Sequence, residues 1–430
     1  MHLWGLHKVK AGALQFTLFI GVLVILILGS FVLLSYTHQR FKDQSDLLQE
    51  TIQLADQGVI YALNSKRPLN SEFSAIEYPN LKSFQEIAIV SQSWGIYELV
   101  KSRAVSKNYQ FERYALIGGK KAIENRQALF LANTYAPLVV VGSSQITGNA
   151  QLSEYGLKPG NMGSAYFKGS RLIDGTISTH TREELPEFPE FFQNNVASLF
   201  KIYPRNDEVI NYNRKSIYNS FKAETKWVFE SQNLLLQDSI LGNVIIKSEK
   251  QITVGSEAYL SNVILIAPEI AIESGVNGNF QAFATEKIIV GSKVKLKYPS
   301  ALVLQVGKRS LQNPGSIANQ QEVNTINIGS NSMIKGSLVF LGNEPNINYE
   351  PELFIDTGSE LFGDIYCEQN FELKGSVFGS VYTKAFIARD FGSVYRNHLY
   401  NGIINVGNLT QEFVGLPVQN TQKGIAKWVY

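Results

Sequence analysis

The 430-residue sequence holds a single cysteine, Cys367. That excludes an internal disulfide framework and any zinc site built from several thiolates. Histidine is scarce as well: His2, His7, His38, His180 and His398 are scattered, apart from the first two. His2 and His7 are five residues apart, off the i, i+4 spacing that sets two imidazoles on one helical face. Neither sign of charge is in excess. Lys and Arg number 39 against 37 Asp and Glu, a net +2, so bulk charge gives no reason to expect a nucleic acid partner. Phosphate loop, dinucleotide fingerprint and nucleophile elbow are all missing. Gly118-Gly119-Lys120-Lys121 lacks the earlier spaced glycine of a phosphate loop and reads as a turn. What is there is the composition of an ordinary folded chain, 44% hydrophobic and 18% charged with a mean hydropathy of −0.05. Its length suits two to three domains or one long repeat array. No metal or other cofactor is implied.

Residues 11–36 carry no charged side chain. As a helix, residues 13–35 span about 35 Å, enough for a bilayer core. The run is longer than a secretory signal's apolar region, and Phe31-Val32-Leu33-Leu34 offers no small-x-small cleavage site, so it reads as an uncleaved anchor. Residues 1–12 are then a cytoplasmic tail and 13–36 a transmembrane helix. Lys8 and Lys10 flank one side, Arg40 and Lys42 the other, so the positive-inside rule barely discriminates. Because the folded mass lies downstream of one span, the expected placement is single-pass in the inner membrane with the bulk periplasmic. Beyond the bilayer, Leu47, Leu48, Ile52, Ala55, Val59, Ala62 and Leu63 recur at spacings of mostly three and four among Gln49, Glu50, Gln53, Asp56 and Gln57. That predicts an amphipathic helix over 37–64, ending near Asn64 ahead of Lys66-Arg67-Pro68.

The stretch Lys10-Ala11-Gly12-Ala13-Leu14-Gln15-Phe16-Thr17-Leu18-Phe19-Ile20 resembles the start of a type IV pilin or pseudopilin. In that family a glycine precedes a Phe-Thr-Leu run and a glutamate follows. Here Phe16, Thr17 and Leu18 are present, while Gln15 stands for the glycine and Ile20 for the glutamate. The resemblance implies a helix that leaves the membrane, lies half-buried on a sheet and packs laterally against similar helices. Phe16, Thr17, Leu18 and Phe19 begin that assembly helix. Gly21 and Gly29, eight apart on roughly one face, permit close approach. Without the glutamate the contact relies on van der Waals packing.

Residues 80–135 alternate in strand fashion, with candidate strands at 86–91, 95–102, 109–117 and 127–131. They read as an antiparallel meander whose apolar face receives the amphipathic helix. Trp94 and Tyr97 fit a half-buried sheet face. Further on, Leu234, Ile252, Ile270 and Ile288 are separated by eighteen residues each, and so are Leu236, Val254, Ile272 and Val290. Ile240, Ala258, Val276 and Val294 form another apolar column. Later, Ile334-Lys335-Gly336-Ser337-Leu338, Leu361-Phe362-Gly363-Asp364-Ile365 and Val377-Phe378-Gly379-Ser380-Val381 repeat one grammar, with a weaker copy at Ile146-Thr147-Gly148. An eighteen-residue period is too short for paired-helix repeats. It suits a parallel β-solenoid with three short faces per coil and glycine at corners. This punctuation resembles the β-helix of bactofilins and other polymer-forming solenoids. The fold class is therefore mostly β with one long N-terminal helix: transmembrane helix, meander, then solenoid. The solenoid starts over 136–182, is interrupted by an excursion or linker at 183–222 and resumes over 223–405. In the excursion, Pro186 and Pro189 favour extended chain that covers a solenoid surface. Residues 406–430 form a cap or tail.

Two functions of different class follow. The first is a membrane-anchored structural subunit with no catalytic residue, whose partners are lipid and other envelope or pilus-like machine subunits. The second is an anchored β-helix protein that binds or cleaves envelope glycan. Asp356 and Asp364, with Glu360 between them, are the nearest carboxylates to an acid/base pair, yet Asp364 replaces Ser337 and Ser380 at what reads as a solvent-side corner.

Overall fold

The computed structural model describes residues 11–65, 72–205, 207–307, 324–342, 350–390, 392–418 and 421–430. The expected tail with Lys8 and Lys10, and the breaker Lys66-Arg67-Pro68, lie outside the described residues. The chain is mostly β with one long N-terminal helix, α1 (Ala11–Asn64), of 54 residues. Anchor and amphipathic stretch are one continuous rod about 80 Å long. Among the described residues it is the one helix long and apolar enough to cross a membrane.

The second half of α1 lies on an antiparallel sheet made by β1 (Gln85–Trp94), β2 (Tyr97–Ser106) and β3 (Tyr109–Lys120), with a short pairing at Ser74–Ala75. The last strand of this sheet comes from the end of the chain: β4 (Gln422–Val429) pairs antiparallel with β3. Two expectations change here. Residues 406–430 do not end as a cap or tail but supply an edge strand. Gln127–Leu131 leaves the meander and pairs in parallel with residues around Leu129's partners Ala150 and Val381. The pairings of β4 with β3 and of Leu129 with Val381 join residues more than two hundred positions apart, which alternation alone cannot assign.

The other large sheet is mainly parallel and closes on itself. The run Tyr259–Ile272 shows how it is built. It pairs in turn with Ser239–Gly242, Val244–Ser248 and Gln251–Val254, so one pass of the chain lies in parallel on the previous one along three sides. The eighteen-residue column is a ladder: Leu234 pairs with Ile252, Ile252 with Ile270 and Ile270 with Ile288, all buried. The ladder continues through Ile326, Leu353 and Phe371. A second buried ladder runs Ile246, Leu265, Ala282, Leu302, Leu338, Ile365, Val381, Leu129. The repeated glycines mark a bend between two sides. Gly336 and Gly363 have φ of +147° and +148°. A Cβ on either would lie 1.8 Å from the carbonyl oxygen of the pass before, Ser300 or Gly336, so only glycine fits.

Outward residues of one side form a second core with the antiparallel sheet. Trp227, Ile264, Phe283, Val303, Val339 and Tyr366 pack in one cluster with Trp94, Tyr97 and Leu99. Trp94 and Tyr97 are thus buried between two sheets rather than half-buried on one. Gln281 joins the sheets: its Oε1 accepts from Ile96 N at 2.9 Å and its Nε2 donates to Trp94 O at 3.0 Å. The 183–222 segment is more than extended chain. It holds α2 (Glu190–Lys201), which buries Phe192, Val196 and Leu199 on the same core. Lys247 Nζ donates to Phe200 O at 3.0 Å and Ile202 O at 2.6 Å, satisfying carbonyls at the helix end.

Candidate assembly surface

The first half of α1 presents large apolar side chains outward. Phe16, Leu18 and Phe19 are 65%, 67% and 64% exposed. Thr17 Oγ1 donates to Ala13 O at 3.1 Å and Leu14 O at 2.9 Å, and Ser30 Oγ to Leu26 O at 2.8 Å, so these hydroxyls need no water. Nothing lies within 4 Å of the space a side chain would fill at Gly21 or Gly29. The surface is apolar on all sides, which suits lipid or another helix and does not suit water.

The second half is different. Thr51, Ala55, Val59 and Ala62 are fully buried on the sheet. Between them Gly58 marks the closest approach: a Cβ there would lie 2.1 Å from Ser102 Oγ and 2.8 Å from Ile87 Cγ2. Periodicity among large residues passes over Thr51 and Gly58, although their spacing to Ala55 and Ala62 is four. Leu48, counted by sequence on the packed stripe, is 40% exposed, and Ile60 and Tyr61 are 44% and 39% exposed, so the second half also leaves apolar surface uncovered. Polar contacts border the packed face. Arg113 Nε meets Asp56 Oδ1 at 2.6 Å, Lys82 Nζ meets Glu50 Oε1 at 2.6 Å, and Tyr78 OH donates to Gln57 Oε1 at 2.8 Å.

The approach to β4 is pinned by polar groups. Arg126, buried, donates to Thr410 O at 2.7 Å, Gln411 O at 2.9 Å and Phe413 O at 3.3 Å. Tyr298 OH donates to Val414 O at 2.7 Å. Asp364 Oδ2 accepts from Leu416 N at 3.0 Å. This corrects the sequence reading of Asp364: it lies beneath the 409–418 segment rather than at a solvent-side corner. Burial pushes its carboxyl above the ordinary range, against the pull of Leu416 N, Lys121 and Arg126. The strap that covers it arrives from fifty residues downstream, out of reach of local pattern.

Cys367, His180 and Asp356 are engaged or shielded. No group of three His, Cys, Asp or Glu that could hold a metal occurs among the described residues. The Cys367 thiol is buried, and burial raises its pKa far from the reactive range. His180 stacks on Phe130 with ring centroids 4.5 Å apart, and burial lowers its pKa. Asp356 Oδ1 accepts from Thr357 N at 2.7 Å.

No family model matches the chain, and no curated protein matches it. Among solved structures, the crystal structure of the competence-associated pilin ComZ from Thermus thermophilus is similar at 9% identity, over 84% of this chain and 86% of that one, with a TM-score of 0.24. At that score the likeness carries no argument about this chain.

Proposed function

We propose that the chain is a membrane-anchored, extracytoplasmic structural subunit of minor-pilin or pseudopilin type, working by assembly in an envelope fibre, secretion or adhesion machine and having no catalytic residue. The observation that carries this reading is the division of α1: one continuous helix, apolar and uncovered over its first half, docked on an antiparallel sheet over its second. That is the build expected of a subunit held in a bilayer and packed sideways through its anchor. On this reading the anchor lies in the inner membrane and the sheets in the periplasm. The closed parallel sheet is read as a β-solenoid that serves as a rigid body on this stalk. The commitment of Asp364 to the strap supports a non-enzymatic reading over glycan cleavage.

The test is replacement of Gly21 and Gly29 by leucine, with recovery of envelope proteins that co-purify with the full-length chain. Recovery should fall while the protein stays in the membrane fraction. Unchanged recovery removes helix packing as the mechanism. A glycan-cleaving activity lost on changing Asp356 or Asp364 would overturn the non-enzyme reading.

A further inference from the structure

One side of the closed sheet carries four lysines that, among the described residues, have no carboxylate paired with them. Lys295 and Lys297 point outward from the strand Lys295–Gln305 and are exposed; Lys293 precedes them at the corner, exposed as well. Lys335 follows Ile334, the partner of Leu296, and so adds a fourth exposed ammonium on the next pass. No carboxylate among the described residues forms an ion pair with any of the four. Glu360, in register with Met333, is the acidic residue on this column. Aromatic rings lie among the lysines, with a lysine ammonium near Tyr259 and near Phe362. Lys297 Nζ lies 5.9 Å from the centre of the Tyr259 ring, Lys335 Nζ lies 5.4 Å from that of Phe362, and Phe378 stands 4.8 Å from Phe362. The surface offers point charges rather than a stacking platform, which disfavours nucleobases.

The chain also carries the complement. Glu183, Glu184, Glu187 and Glu190 are exposed along the segment that leads into α2, while Leu185 and Phe188 between them are buried. Phe188 packs on Phe192 and Tyr366 at 4.4 and 4.3 Å between ring centres, which holds the glutamates outward as a ridge. Tyr135 OH donates to Glu183. Glu184, Glu187 and Glu190 form no ion pair among the described residues. Tyr366 belongs to a different side of the closed sheet from Lys295, so ridge and lysines cannot meet within one copy.

We propose that the lysine side of one copy receives the glutamate ridge of a second copy. The two patches lie on different sides of the closed sheet, so one contact between two copies leaves a lysine side and a ridge unused, and repeating it extends the assembly into a row or a ring. This rests on the assembly reading above and adds its electrostatic component, separate from the anchor helix.

The experiment uses full-length chain in detergent, in two differently tagged forms, and measures how much of one form is recovered with the other. Lys295→Glu with Lys297→Glu, or Glu184→Lys with Glu187→Lys, should each lower recovery about tenfold, as several exposed pairs are lost and like charges face each other. Salt at about 0.5 M should do the same to the unaltered chain. Mixing the two variants should restore recovery, since each now carries the complement of the other, and a misfolded variant could not do this. Unaltered recovery by either variant alone, or failure of the mixture, overturns the proposal. So does loss of binding to heparin beads by the lysine variant with self-recovery intact, which would make the occupant an anionic glycan. The Gly21→Leu, Gly29→Leu chain is the control. If it alone loses recovery, this inference falls and the assembly reading stands. If the charge variants respond and it does not, helix packing falls and the charged contact stands.

Discussion

The first half of α1 and the inner ladders of the closed sheet are made of the same side chains and meet opposite fates. Ile25, Leu26 and Leu28 are 69%, 65% and 59% exposed, whereas Ile252, Ile270 and Ile288 are at most 1% exposed. Composition does not distinguish them; arrangement does. The helix run has no polar face, so no rotation of it can bury one side and wet the other, and it needs an apolar surrounding from outside. The ladder residues recur at a fixed interval with Gly, Ser and Asn between them, so passes of the chain supply the apolar surrounding to each other. One region is stable in the absence of water, the other by excluding it.

The sharpest way to break this contrast is to remove the helix run. Deleting residues 13–35 should move the whole chain from the membrane to the soluble fraction, still folded, because the ladders do not use the anchor. A truncated protein that stays in the pellet after a carbonate wash would refute the single-span anchor. Next in size is a charge in the ladder. Ile270→Asp places a carboxylate among Ile252, Ile288 and their neighbours, at a cost of several kcal/mol or a strongly raised pKa. Ser274, exposed at a corner, accepts from Ser292 N at 3.1 Å, and Ser274→Asp keeps an acceptor there and should leave the thermal midpoint nearly unchanged. Equal midpoints for the two variants would refute the eighteen-residue register.

Both halves of that contrast were legible in the sequence because each is a local pattern: an uncharged run, or a column at a fixed interval. The pairings that join the two sheets were not. β4 completes the meander from the far end of the chain, and Leu129 pairs with Val381 across most of the sequence; short strands carry no mark of their partner. α2 was readable in part, since Phe192, Val196 and Leu199 have helical spacing, but Pro186 and Pro189 drew the reading toward extended chain. On α1, Gly58 and Thr51 escaped because a helix that comes this close to a sheet does so through small residues, which an apolar periodicity does not count.

The smallest expected effect concerns a group that belongs to neither region. Asp364 takes the register position of Ser337 and, like it, sits on the outward face of the second ladder's strands, yet the strap to β4 covers it. Its folded pKa is raised above the ordinary 3.8, by burial first. Between 3.8 and the raised value the folded chain therefore holds a proton that the unfolded chain has released. Over that window stability falls as pH rises; below it the contribution is fully present, and above it the loss is complete. Asp364→Asn keeps an oxygen for Leu416 N and cannot titrate. The thermal midpoint of the variant relative to the unaltered chain should rise as pH increases through the window and then level off. A difference that stays constant from about pH 3 to about pH 8 would mean that the strap does not shield Asp364 from water.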